Sequence, residues 1–139
     1  MNNDVMNGMM DGVNRTIMPS SIAAPAAKYA HAVVADGPAR LLHTSGVVPI
    51  APDGTVPDDI AAQAAVVWSS IAAMLDEAGM SVTDIMSITT YVVVGEPLAD
   101  VMAARDRVLA GHLAASTLLP VPALARPEWK LEIAVVAAR

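Results

Sequence analysis

Glu132 stands in LEIAVVAAR, a segment that otherwise reads as an apolar β-strand. On a strand, Glu132, Ala134 and Val136 point one way while Leu131, Ile133 and Val135 point the other. Both faces are then apolar apart from one carboxylate. An acid among apolar neighbours is costly unless it is paired, sits at a wet interface or takes part in chemistry. Its in-chain pairing candidates are Arg126 and Lys130, and a neighbouring subunit is a third. A second segment, LLHTSGVVP, puts Ser45 and Gly46 at the end of another apolar strand. There a hydroxyl and backbone amides could meet a small ligand.

Stepping outward from these residues, the chain punctuates itself clearly. RTIMP reads as a short first strand ended by Pro19. Tyr29 to Ala35 reads as a strand, Asp36-Gly37-Pro38 as a turn, and Leu41 to Ser45 as the second strand of a hairpin. Asp58 and Asp59 after Pro57 mark a helix start, with acids at the positive end of the dipole. Ile60, Ala64, Val67, Ile71 and Leu75 recur at helical spacing, and Gly79 is a natural stop. A β-branched strand follows from Ile85 to Val94. A second helix carries Leu98, Val101, Met102, Val108 and Leu109 and ends near Gly111. Strands near Ser116 to Val121 and Leu131 to Ala137 finish the chain.

The 139 residues fit one domain. Residues 1–14 hold all four Asn and four of the nine Met, a composition shift that predicts a flexible tail ahead of a single domain over 15–139. That tail has neither the basic start nor the apolar core of a signal peptide. A net charge of −6 and an aromatic content of 3% exclude the clustered cations and stacking rings that nucleic acid demands. The absence of Cys removes disulfides and thiolate chemistry and fits a cytoplasmic protein. No stretch suits a membrane span. His31, His43 and His112 share no metal-ligand spacing with each other or with an acid, so no metal is expected. His43, two residues before Ser45 on the same strand face and roughly 7 Å away, is too far for a nucleophile–base dyad. It reads as a packed or interface histidine.

Two helices can cover only one face of a sheet of five or six strands. The strands IMSITTYVVV and LEIAVVAA are apolar or weakly polar on both faces, and monomers rarely leave such a patch open. A homo-oligomer is the expected solution.

Taken in order, AAKYAHAVV, LLHTSGVVP, DDIAAQAAVVWSSIAAMLDEAG, SVTDIMSITTYVV, ASTLLPVPALA and LEIAVVA resemble the Rid family of reactive-intermediate imine deaminases, also called YjgF or liver perchloric-acid-soluble proteins. The resemblance runs from Arg15 to Arg139. It implies an α+β fold like chorismate mutase of the bacillus type: a mixed sheet with two helices on one face, assembled as a homotrimer. It further implies ligand clefts between subunits and cofactor-free hydrolysis of small imines or enamines, such as 2-aminoacrylate, to a carbonyl compound and ammonia. The family's cleft tyrosine matches Tyr29, the serine and glycine of its SGQ motif match Ser45 and Gly46, and its C-terminal acid matches Glu132. In these roles Glu132 would activate water, Ser45 would orient substrate, and Tyr29 would wall the cleft.

The departures are specific. Val47 replaces the motif's glutamine. Ser116 stands where active deaminases carry an arginine that grips the substrate carboxylate, and Ala114 replaces the proline before it. Arg105 lies close to the place of a helix asparagine. Losing one charge-assisted partner costs roughly 2–5 kcal/mol in a desolvated site, or about 10²-fold in rate. Two functions therefore stand: an imine or enamine deaminase with an altered substrate grip, and a trimeric metabolite-binding protein without turnover. Trp129 reads as a lining of the cleft mouth or a cover for a subunit contact.

Overall fold

The computed structural model describes residues 13–139. The strands are β1 (Asn14–Ile17), β2 (Ala32–Ala35), β3 (Leu41–His43), β4 (Ile85–Val93), β5 (Ala115–Val121) and β6 (Leu131–Ala138), and the helices are α1 (Ile60–Glu77) and α2 (Leu98–Leu109). One sheet runs β3-β6-β4-β5, with β4 and β5 parallel and the other pairs antiparallel; β1 and β2 form a separate pair. This is an α+β fold with a mixed sheet. Most of the flexible tail expected over residues 1–14 lies outside the described residues. Asn14 opens β1, and its Nδ2 donates to the carbonyls of Asp84 and Ala138, both at 3.0 Å.

Helix α1 starts where its acids predict. Asp59 is the N-cap, and its Oδ1 accepts from the Ala62 amide at 2.8 Å. At the other end Met80 N donates to Leu75 O at 2.8 Å and Gly79 N to Asp76 O at 3.0 Å, the paired bonds of a Schellman stop. Gly79 has φ +70°, a conformation that costs glycine nothing. Arg40 Nη1 donates to the Ala78 carbonyl at 2.9 Å and so neutralises the negative end of the helix.

Both helices lie on one face of the large sheet. Val67, Trp68, Ile71 and Leu75 of α1 and Val101 of α2 pack on Ile88, Val92, Leu131, Ile133 and Val135. The opposite face carries Thr89, Tyr91 and Val93 of β4 with Glu132, Ala134 and Val136 of β6, all half-buried, and no helix among the described residues covers it.

The expected hairpin between Tyr29–Ala35 and Leu41–Ser45 does not form. β2 pairs with β1, whereas β3 pairs with β6, starting from the mutual bonds of Arg40 and Arg139. Asp36, Gly37 and Pro38 do make the turn, but a turn sets direction and not partner. Leu42 gains more by lying opposite buried Ala137 on the core face than by pairing with half-exposed β2. Residues at the start of the first run leave it altogether: Ala30 N donates to Ala114 O at 2.9 Å, bridging to the outer edge of β5.

One buried side chain ties the helix to the strand that carries the acid. Gln63, fully buried on α1, donates through Nε2 to Pro57 O and Glu128 O and accepts from Lys130 N, each at 2.8 Å. It thereby fixes the entry to β6 two residues before Glu132.

Candidate functional site

β6 alternates strictly. Leu131, Ile133, Val135 and Ala137 enter the core, which leaves Glu132 on the open face directly opposite Tyr91 of β4. On the other flank of β6 the register slips. His43 lies opposite Val136 and Val47 opposite Ile133, so Thr44, Ser45 and Gly46 span only two residues of β6. This is a one-residue bulge, a device that re-aims side chains beside a site. Thr44 N donates to Val135 O and Val135 N donates to Thr44 Oγ1, both at 3.0 Å, so a hydroxyl replaces the carbonyl that the bulge displaces.

The bulge lays the main chain at Gly46 against the Glu132 carboxyl. A Cβ at position 46 would overlap Oε2 and lie 2.9 Å from Cγ. Gly46 is therefore needed for space and not for an unusual φ. The carboxylate itself has no ion pair and no hydrogen bond among the described residues. Lys130 Nζ pairs instead with Glu96 at 3.6 Å, and the Arg126 guanidinium sits over the Trp129 ring at 5.3 Å. The two in-chain pairing candidates are thus engaged elsewhere. Ser45 is exposed beside Gly46. A groove of about 530 Å³ borders this outer edge, walled by His43, Ser45, Gly46, Val48, Ser70 and Met74, with Glu132 outside its walls.

Tyr29 and Ser116 lie elsewhere. Tyr29 precedes the bridge at the far edge of β5, three strand spacings from β6, or about 14 Å. Its hydroxyl accepts from Ala26 N at 3.1 Å, and its ring meets His31 edge-on at 6.2 Å. His31 Nε2 donates in turn to Ala23 O at 2.7 Å. Ser116 is opposite Ile88 and so faces the helices, where its Oγ accepts from Arg105 Nη1 at 3.4 Å. Within one chain the expected residues form two groups: Ser45, Gly46 and Glu132 meet where the chain after β3 runs beside β6, and Tyr29 and Ser116 lie at the β5 end of the sheet.

The Endoribonuclease L-PSP family profile matches residues 19–139. The chain belongs to this family. Its Rid and YjgF members include similar solved structures. A Rid-family protein of unknown function, YyfB from Yersinia pestis, is 30% identical with a TM-score of 0.82, covering 91% of this chain and 99% of its own. The YjgF gene product of E. coli is also 30% identical, with a TM-score of 0.67 and coverage of 90% and 98%. E. coli TdcF, crystallised with bound serine, is 25% identical, with a TM-score of 0.67 and the same coverage. A comparison with curated protein sequences gives no match.

Against this L-PSP fold, sequence reasoning overlooked Tyr91, Thr44 and Gln63. Tyr91 is one of only two tyrosines, but its place beside Glu132 depends on a strand pairing that no local pattern announces. If the position of the carboxylate matters, Gly46→Ala should uncouple stability from activity. The Glu132 side chain can swing aside, so the melting temperature should change by no more than a few degrees. Turnover should fall by about 10²-fold, the scale of a 1 Å misplacement. Unchanged turnover in a folded Gly46→Ala protein would remove Gly46 and its contact from the site.

Proposed function

We propose that the protein hydrolyses a small reactive imine or enamine to a carbonyl compound and ammonia, in clefts completed between the subunits of a homotrimer. Glu132, Ser45 and Gly46 of one subunit form one wall; Tyr29 and the Ser116 region of the next form the other. The observation that carries this reading is the Glu132 carboxylate, unpartnered among the described residues and seated against a glycine that leaves it room. A structural acid would be paired; the absence of a partner among the described residues supports a role for this one in chemistry.

The chemistry needs no more than these groups. Glu132 accepts a proton from water as the water oxygen bonds to the imine carbon, and it returns that proton to the imine nitrogen, which leaves the carboxylate free again. In the resulting carbinolamine, Glu132 relays the hydroxyl proton to nitrogen. The C–N bond then breaks, the C=O bond forms, and ammonia leaves. Ser45 Oγ and the neighbouring backbone amide hold the polar end of the substrate.

Three further points support the reading. The uncovered face of β4 and β6, together with Leu119 at 46% exposure on β5, needs a partner surface. TdcF, a relative, holds serine, a ligand of the right size. RNA fits poorly, because a chain of net charge −6 offers no cationic track for phosphates. No helix among the described residues is long and apolar enough to cross a membrane. The replacement of the family's arginine by Ser116 favours a second reading, a metabolite-binding trimer without turnover. An assay for ammonia release from freshly generated imines separates the two: enzymatic release well above the spontaneous rate supports hydrolysis, and none across the panel supports binding alone.

A further inference from the structure

Glu132 carries a negative charge that no side chain among the described residues balances. All eight Lys and Arg residues lie within the described part of the chain. Six are committed elsewhere: Arg15 to Asp36, Arg40 to the Ala78 carbonyl, Arg105 to Asp106, Arg126 to the Trp129 ring, Lys130 to Glu96 and Arg139 to Asp84. Arg107 is exposed on α2, on the helix side of the sheet. Lys28 lines a cavity of about 180 Å³ beside Asp106 and His112, beyond β5. What flanks the carboxylate is aromatic and apolar. Tyr91 is its direct cross-strand neighbour on the open face, with Cβ atoms about 5 Å apart, and Leu119 follows Tyr91 in register on β5. Tyr29 and Ser116, proposed for the other wall, add no charge.

We infer that Glu132 and Tyr91 together recognise a small, planar nitrogen cation, so that the substrate is a protonated imine without a carboxylate. A carboxylate and an aromatic face side by side are the two groups that hold organic cations, one by charge and one by the ring quadrupole. Both are half-buried, where charges are less screened than in water, and a chain of net charge −6 draws cations to its surface. An anionic imino acid would meet the same carboxylate as a like charge. With a protonated imine the water oxygen bonds to the iminium carbon, Glu132 takes the water proton, and the C=N electron pair settles on nitrogen, which gives a neutral carbinolamine. The proton held by Glu132 then goes to nitrogen, the C–N bond breaks with its electron pair leaving on ammonia, and the hydroxyl proton passes to solvent as C=O forms. The identity of the substrate rests on the hydrolytic reading above, whereas the charge selection is measurable on mimics that do not react.

Acetamidinium, acetamide and acetate are nearly isosteric and carry one positive charge, none and one negative charge. Titrated into the intact protein at low salt and followed by NMR, acetamidinium should bind about tenfold or more tighter than acetate, with acetamide between them. Glu132→Gln should bring acetamidinium to within about twofold of acetamide. Tyr91→Leu should weaken acetamidinium by about three- to fivefold, whereas Tyr91→Phe keeps the ring face and the affinity. Lys28→Ala should leave the order of the three probes unchanged. Acetate bound as tightly as acetamidinium, no binding of acetamidinium, or acetamidinium affinity unchanged in Glu132→Gln would each overturn the inference. Selective acetamidinium binding without ammonia release from any imine would remove the hydrolase reading and leave the charge selection standing. Ammonia release from carboxylate-bearing imines alone would keep the hydrolase reading and overturn the charge selection.

Discussion

Glu132→Gln should lose imine hydrolysis while the protein stays as stable as wild type. Glutamine keeps the size and the hydrogen-bonding reach of glutamate but cannot take a proton from water. General-base catalysis of this kind contributes about 10²–10⁴-fold, and ammonia release should fall by that factor. Stability should hold because the carboxylate gives up no ion pair and no hydrogen bond among the described residues, Lys130 being paired with Glu96 and Arg126 stacked on Trp129. Glu132→Asp should land between the two, since one methylene less withdraws the carboxylate from its seat at Gly46. Measuring turnover beside chemical unfolding distinguishes a lost base from a damaged fold. Equal turnover in wild type and Glu132→Gln would end the role proposed for this residue.

Gln63→Ala should be among the most destabilising single changes in the chain. The side chain satisfies three backbone groups, Pro57 O, Glu128 O and Lys130 N, at a fully buried position. Each buried group left unpaired costs about 1–3 kcal/mol, and water entering the gap recovers part of it. A net loss of about 3 kcal/mol is expected, which for a domain of this size lowers the melting temperature by roughly 10 °C. Gln63→Glu should be no better near neutral pH, because a carboxylate would face two carbonyl oxygens. Acidification toward the protonation range of the introduced carboxyl should relieve it in part, since protonation restores one donor. A loss under about 1 kcal/mol in Gln63→Ala would show that β6 holds its register without this clamp. Activity should fall in parallel with stability, as the entry to β6 sets where Glu132 stands.

The sequence exposes what is local. Helix α1 was legible at both ends because an N-cap aspartate and a C-terminal glycine act within one turn of themselves. The strand character of β4 and β6 was equally plain from their β-branched and alternating residues. Pairing was not legible. Leu41 to His43 could have joined β2 or β6, and only the burial of Leu42 opposite Ala137 decides between them. The same limit applied at the site. Glu132 announced itself as a lone acid in an apolar strand, but its contact with Gly46 arises from a bulge that Thr44 stabilises through a hydroxyl. Nothing near Thr44 in sequence marks that role. Arg105 was visible only as a departure from a family pattern, because its contact with Ser116 joins a helix to a strand edge. Tyr29 and Glu132, read from the resemblance as members of one cleft, lie three strand spacings apart in a single chain's sheet, Glu132 on the interior strand β6 and Tyr29 beyond β5. The cleft proposed here would draw them from two subunits.

Subunit mixing tests that central point most directly. One variant carries Glu132→Gln, and a second carries Tyr29→Ala; each alone should show only background ammonia release. Co-expressed in equal amounts, they form mixed trimers in which about one cleft in four receives both intact walls. Activity should return to about a quarter of the wild-type value. Mixed trimers that remain at background would contradict a cleft shared between neighbouring chains, and so would a wild type that hydrolyses the substrate as a monomer.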